Sequence, residues 1–385
     1  MIAVITLIDA LGWTYVKDRP IMPDILEYRT EVRTVLGFSS GAIPTLLSGK
    51  MPKDSGHWNL FFYDPQHSPF RWVRWFTFLP KSVLNHRVTR RIIRIVSQKM
   101  SRFGGYFQIY GVPVELLPYF DICEKKDIYR PGGVPSSLFD TLEELGVSYR
   151  TYSYHEMRDE EIVRTACKDI RQKKCDFYFL YLSELDAYLH NWCRDAEGVE
   201  RQLAKYEKWL REVYEEALRV DGEVAFFVLS DHGMTPKQGG FDLVGQIKQL
   251  GFQMPRDYLS LYDSTMARFW FFNEKARAEI IARLNQQTCG HILSDAEKRR
   301  LGIDFSDNRQ GEIIFLMNPG VLIEPSFFGK KAPEGMHGFH PDDPYSSAIF
   351  LSNLRPSKPV RTLVDVNEVM QDWAENLASG IHVQR

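Results

Sequence analysis

A chain of 385 residues, 44% hydrophobic and 25% charged, has the make-up of a globular protein and room for one large α/β domain with insertions, or for two domains. A net charge of −2 gives no reason to expect a nucleic-acid partner. Cys123, Cys167, Cys175, Cys193 and Cys289 are odd in number and lack CxxC spacing, which argues for reduced thiols rather than a disulfide frame. No apolar run is long enough to span a bilayer, and a strand is already under way at residue 2. A cytoplasmic protein without a signal peptide is therefore expected.

The first stretch, Ile2-Ala-Val-Ile-Thr-Leu-Ile8, predicts a buried strand and ends in Asp9-Ala-Leu-Gly12. An acid at this point is commonly only a cap for the helix that follows. Residues 31–38 alternate as a strand does and lead into Ser39-Ser-Gly-Ala-Ile-Pro-Thr-Leu-Leu-Ser-Gly49. That reads as a strand-to-helix turn with Ser39 or Ser40 at the helix N-terminus, where N–H groups and the helix dipole favour an anion. A serine there is most often just an N-cap. To act as a nucleophile it needs activation, which a bound metal ion can supply.

Residues 56–135 interrupt the α/β pattern. No acid occurs between Asp64 and Glu115, whereas Arg71, Arg74, Lys81, Arg87, Arg90, Arg91, Arg94, Lys99 and Arg102 all do. Leu84, Val88, Ile92, Ile95, Val96 and Met100 share one side of a predicted helix, and Arg87, Arg90, Arg91 and Arg94 another. The favoured expectation is a cap whose apolar side packs on the core while its arginines attract an anionic substrate. The alternative is peripheral contact of residues 69–102 with an anionic membrane surface.

Alternation then resumes with a helix over 136–146, a strand over 147–152 and a helix over 156–172. A third apolar strand, Phe177-Tyr-Phe-Leu-Tyr-Leu182, is followed by Asp186 and His190, four apart and so on one side of a helical turn. That spacing is common by chance and gains weight only from its place after a buried strand. Residues 200–220 predict a long, charged crossover helix. Next, Val224-Ala-Phe-Phe-Val-Leu229 reads as a strand buried on both faces, stopping at Ser230-Asp231-His232-Gly233. In open α/β sheets that edge is where ligands bind. A hard oxygen beside a borderline nitrogen suits zinc or manganese.

Strands over 266–272 and 311–317 with a helix over 274–287 predict a small α+β insert. A loop, Gly335-Met-His337-Gly-Phe-His340, then returns the chain to the core through a strand over 347–352. A last helix is expected from about Asp365, as N-cap, to Ala378. The expected organisation is a core of residues 1–56, 136–242 and 335–385, a basic and aromatic cap at 57–135, and the insert at 243–334.

Asp9, Ser39, Asp186, His190, Asp231, His232 and His337 thus all follow strands or sit where the chain re-enters the core. Their set and order resemble the alkaline phosphatase superfamily, nearest its type I phosphodiesterase/nucleotide pyrophosphatase branch. The matching motifs are Asp9 after the first strand, Ser39 with Thr45-Leu-Leu-Ser-Gly49, Asp186-x-x-x-His190, Ser230-Asp-His-Gly233 and His337-Gly-Phe339. The resemblance implies a three-layer α/β/α core with a mostly parallel sheet, carrying cap insertions. It also implies one divalent metal held by Asp186, His190 and His337 and a second by Asp9, Asp231 and His232, zinc or manganese, with Ser39 bridging as the nucleophile. Ser39 is preferred to Ser40 because the family's nucleophile lies about nine positions before the Ser/Thr of a closing pair, here Ser48-Gly49. His337 is preferred to His340 because it directly precedes Gly-Phe. Two cations about 3.5–4 Å apart can clamp the attacking and leaving oxygens of an in-line displacement, here through a phosphoseryl intermediate.

Sulfatases of the superfamily place the nucleophile in a C/S-x-P-x-R context, whereas Ser39 is followed by Ser-Gly-Ala-Ile. A phosphomonoesterase or phosphomutase shares the ligands, and the short inserts favour a hydrolase. The expected substrate is a small phosphate ester with a bulky portion, nucleotide- or lipid-linked, met by the basic, aromatic stretch. A non-catalytic binding protein on this scaffold would be marked by lost ligands, and none is missing.

Overall fold

The computed structural model describes residues 1–154, 157–329 and 332–380. The chain divides into two compact units, one of residues 1–51, 129–236 and 334–385, the other of residues 52–128 and 237–333.

The first unit is built on a six-stranded sheet. Its strands are β1 (Ile2–Ile8), β2 (Tyr28–Val32), β3 (Tyr149–Tyr152), β4 (Phe177–Leu182), β5 (Val224–Leu229) and β6 (Ala348–Ser352), in the spatial order β2-β6-β5-β1-β4-β3. β1 runs parallel to β4 and β5, and β3 parallel to β4, while β6 is antiparallel to β5 and β2. Every residue of β1, β4 and β5 is buried, as continuous apolar runs on an inner parallel sheet require. Helices α1 (Ser39–Ser48) and α5 (Leu363–Ser379) cover one face, where Trp373 meets Phe227 and Asn367 donates to the Leu46 carbonyl. On the other face lie α2 (Asp159–Arg171) and α4 (Ala196–Asp221), whose Ile162, Ala166, Leu203 and Leu210 join Val4, Leu180 and Phe226 in one core. The short α3 (Glu184–Trp192) follows β4. This is the three-layer α/β/α core with a largely parallel sheet.

Local differences from the sequence reading have simple causes. The strand expected over 31–38 lies at Tyr28–Val32, because its register is set by antiparallel pairing with β6. The chain then turns at Gly37, whose φ of +119° suits glycine. The last helix is capped by Thr362 rather than Asp365. Thr362 and Asp365 form a capping box, with the Asp365 carboxylate accepting from the Thr362 N–H at 2.8 Å. The helix expected over 156–172 runs from Asp159 to Arg171, and its predicted first residue, Glu156, lies outside the described residues.

In the second unit, Tyr258–Tyr262, Met266–Phe271, Ile313–Met317 and Gly290–Ile292 form an antiparallel sheet in that order. Phe61–Tyr63 pairs with Phe120–Ile122. Both chain stretches contribute to its core, which joins Phe70, Leu117 and Phe120 to Leu259, Leu261 and Trp270. Inside it, the fully buried Arg268 reaches Asp263 at 3.1 Å, the Phe61 carbonyl at 2.8 Å and Gln310 at 2.6 Å.

Of the apolar stripe expected to pack inward, Leu84, just before the Arg87–Ser101 helix, is buried and Val96 is half-buried, but the rest of the helix is turned the other way. Its inward residues are Ile93 and Ser97, while Val88, Ile92, Ile95 and Met100 face solvent. The Arg90 guanidinium faces inward instead, donating to the Val112 and Ile109 carbonyls at 2.7 and 3.2 Å. Three carbonyls near Arg90 and a small serine under Trp72 suit the polar side better than the aliphatic one. No helix among the described residues is long and apolar enough to cross a membrane.

Candidate metal centre and nucleophile

Strand register explains why distant residues converge. Leu7 pairs with Leu229 and Ile8 with Leu182, so β1, β4 and β5 end level with one another. Two residues beyond Leu7 and Leu229 stand Asp9 and Asp231. One residue beyond Leu182 the chain turns into α3, which carries Asp186 and His190 on one side, 3.3 Å apart. Two glycines let the loops close. A Cβ on Gly12 would come within 2.7 Å of the Gly233 backbone, and one on Gly233 within 2.2 Å of the Tyr345 carbonyl. β6 runs antiparallel to β5, so the loop preceding it is delivered to the same edge. Gly335–Met336 pairs with Thr235–Pro236 and fastens His337 there. The His337 ring stacks on His232 with centroids 3.8 Å apart and planes at 11°.

Ser39 opens α1, and the preceding cap residue is Phe38, whose side chain makes no cap bond while its carbonyl accepts from the Gly41 and Ala42 N–H groups at 2.8 and 3.0 Å. The Ser39 hydroxyl makes no cap bond of its own. Its Oγ lies 2.9 Å from His232 Nε2. The same Nε2 is 3.1 Å from Asp231 Oδ2 and 3.4 Å from Asp9 Oδ1. His232 Nδ1 faces the Gly233 carbonyl at 3.0 Å; a carbonyl can only accept, so that nitrogen donates and Nε2 is the one turned to Ser39 and the two carboxylates. His190 is oriented alike, with Nδ1 donating to the Gly335 carbonyl at 2.8 Å and Nε2 facing Asp186. His337 Nε2 lies 3.6 Å from the same Asp186 oxygen.

Two clusters of ligating atoms result. Asp186, His190 and His337 form one, and Asp9, Asp186 and His232 the other, with the ligating atoms of each within 4.8 Å of one another. Asp186 belongs to both. Asp9 Oδ1, Asp186 Oδ1 and Asp231 Oδ2 are buried with no hydrogen-bond partner among the described residues. Buried carboxylate oxygens are ordinarily satisfied. Three left open towards imidazole nitrogens make a donor set fitted to divalent cations. His340 stands apart from both clusters, with its Nδ1 accepting from the Asp342 N–H at 3.2 Å.

The charges are mutually perturbed. Burial, then the neighbouring Asp231 and Asp186, push the Asp9 carboxyl well above the usual range. Burial acts the same way on Asp186, but His190, His337 and His232 outweigh it and hold that carboxyl below its ordinary value. Burial depresses His190, yet Asp186 overrides it and raises the imidazole. Burial and the adjacent His232 hold the His337 imidazole well below its ordinary value.

Three supporting residues carried no signal in the sequence. Tyr181, in β4, donates to Asp9 Oδ2. Asp159, at the start of α2, accepts from the Ser183 and Glu184 N–H groups at 2.9 and 3.0 Å and so holds the start of α3. Thr34 donates to the Asp231 carbonyl at 2.6 Å. Tyr181 reads as one more apolar strand residue and Asp159 as an ordinary first-turn acid, and only their long-range partners distinguish them.

An α/β/α sandwich with this centre at the carboxyl edge of its parallel strands has the alkaline phosphatase superfamily fold. Residues 3–340 match the sequence profile of the type I phosphodiesterase/nucleotide pyrophosphatase family, and the chain belongs to that family of metal-dependent hydrolases acting on phosphoric ester bonds. Among solved structures it is similar to human ectonucleotide pyrophosphatase/phosphodiesterase 5, with 13% identity and a TM-score of 0.69 over 100% of this chain and 96% of that one. The murine counterpart gives 16% identity and a TM-score of 0.67 over 97% of this chain and 95% of that one. An inactive threonine-to-alanine variant of the murine protein, solved in complex with AMP, gives 16% and 0.68 over the same shares. At such identities the likeness concerns the fold. A search of curated protein sequences found no match.

Proposed function

We propose that this protein is a phosphodiesterase of nucleotide pyrophosphatase type, using Ser39 as nucleophile beside two divalent cations, zinc or manganese. Asp186, His190 and His337 would hold one cation and Asp9, Asp231 and His232 the other, with Asp186 near enough to serve both. The observation that carries the reading is the meeting of Ser39 Oγ with His232 Nε2 among three buried carboxylate oxygens that have no other partner. When bound, such cations lower the pKa of a nearby hydroxyl and offset negative charge on the phosphoryl oxygens.

The chain's own residues supply the rest. Ser39 Oγ attacks phosphorus in line; a P–Oγ bond forms and the bond to the leaving alcohol or phosphate breaks. A water then attacks the phosphoseryl ester, and the Ser39 oxygen departs with the configuration at phosphorus inverted a second time. Because Ser39 heads the ten-residue α1, the helix N-terminus faces the transferred phosphoryl group with its positive end. Tyr181 and Asp159 hold Asp9 and α3 in place.

The murine neighbour's complex with AMP favours a nucleotide-linked ester, with a lipid-linked one as the alternative. A cytoplasmic setting is supported by five free thiols. Metal analysis of the purified protein, with bis-p-nitrophenyl phosphate and p-nitrophenyl phosphate assays before and after chelation, tests the reading. About two divalent ions per chain and chelator-sensitive turnover of the diester are expected. Faster turnover of the monoester would make it a phosphomonoesterase, and no metal with no turnover would defeat the proposal.

A further inference from the structure

The second unit bears a surface that the hydrolytic reading does not use. Successive turns of the Arg87–Ser101 helix present Val88, Arg91, Ile92, Ile95 and Lys99 outward, at the i, i+3, i+4, i+7 and i+11 spacing of a single stripe. Ile92 is 53% exposed. Just before it in the chain, Trp75 and Phe78 are 81% and 79% exposed. The two parts are joined from beneath, where Trp72 donates to Ser97 Oγ at 3.1 Å and packs edge-on against Phe76.

The cations of this segment divide into two groups. Arg71, Arg74, Lys81, Arg90 and Arg94 are bound to acceptors within the unit. The side chains of Arg87, Arg91, Lys99 and Arg102 are exposed and have no hydrogen bond or ion pair among the described residues. The segment thus combines free positive charge, two nearly naked aromatic rings and an aliphatic stripe. Folding gains nothing from exposing such groups, and clustered exposed apolar groups mark interaction sites.

We propose that residues 71–102 form a peripheral docking surface for an anionic lipid bilayer. Exposed tryptophan and phenylalanine suit the headgroup boundary, the aliphatic stripe suits the acyl layer just below, and the four free cations suit anionic headgroups. A nucleic acid would use the cations and the rings but would leave Val88, Ile92 and Ile95 in water. A bilayer satisfies all three. Such a surface holds the protein at a membrane although no helix among the described residues could cross one.

The test is co-sedimentation of the full chain with phosphatidylcholine vesicles, with and without phosphatidylserine. Binding is expected only with phosphatidylserine and is expected to fall as salt rises. The exposed double variant Arg87→Gln/Arg91→Gln lowers partitioning roughly thirtyfold, and Trp75→Ser/Phe78→Ser also lowers it, with the circular dichroism of both variants unchanged. No binding at low salt, or equal binding to vesicles of phosphatidylcholine alone, overturns the proposal. So does loss in the arginine variant but not in the aromatic one, which would indicate simple polyanion adsorption. Concentration-dependent dimerisation abolished by Trp75→Ser, without vesicle binding, would instead make the surface a self-interface. None of these outcomes depends on hydrolytic activity.

Discussion

Two buried polar clusters, one in each unit, are built on opposite principles. In the second unit Arg268 meets Asp263, a carbonyl and an amide oxygen, and the Asp263 carboxylate faces a guanidinium. At the sheet edge of the first unit, Asp9, Asp186 and Asp231 keep buried oxygens that have no hydrogen-bond partner among the described residues and face imidazole nitrogens. The first arrangement resolves its charges internally. The second leaves them open, as a site must that receives its counter-charge from outside. An unanswered buried carboxylate is unfavourable for stability, so its presence points to chemistry.

The contrast can be broken most sharply at Ser39. Ser39→Ala is expected to reduce diester turnover by on the order of a thousandfold or more while metal content, read by mass spectrometry, stays the same. Loss of metal together with activity would assign Ser39 to binding rather than attack. In the other cluster, Asp263→Ala strands a fully buried guanidinium. It should lower unfolding stability by about 3–5 kcal/mol in urea titration, without depending on chelator.

A third test separates the units by pH. Burial, then the nearby Asp127, raises the Glu124 carboxyl to about 7 from an ordinary value of 4.5. Between those values the folded chain holds a proton that the unfolded chain has released. The contribution of Glu124 to stability therefore falls as pH rises from 4.5 to about 7, by up to about 3 kcal/mol, and levels off above. Glu124→Gln should flatten that slope in urea titrations made with chelator present. The smallest expected effect is the most diagnostic for the open cluster. Without divalent cations, Asp9→Asn removes one of three crowded carboxylates and should stabilise the chain by about 0.5–2 kcal/mol while impairing turnover. If the variant is instead less stable, Asp9 serves the fold and the comparison between the clusters fails.

Much of the site could be read from the chain because its residues mark where regular structure stops. Asp9 and Asp231 each follow an apolar run that only a buried strand explains, and Asp186 and His190 are one helical turn apart. What was not legible depended on pairing. Nothing local to Tyr181, Asp159 or Thr34 says that their partners are Asp9, the start of α3 and the Asp231 carbonyl. The assignment of Asp186 to a single cluster had the same limit, since its closeness to both His190 and the Asp9–His232 pair follows from strand register.

The sequence alone determined the layering, the strand ends and the types of side chain gathered at them, because apolar runs and polar breaks obey local rules of burial. Only the tertiary structure decided how those ends align, which nitrogen of His190 and His232 is turned to the carboxylates, and that the aliphatic stripe of the Arg87–Ser101 helix faces outward. Periodicity sets the angles between side chains around a helix or along a strand. It does not set the rotation of that element against its neighbours, which the carbonyls around Arg90 and the hydroxyl of Ser97 decide here.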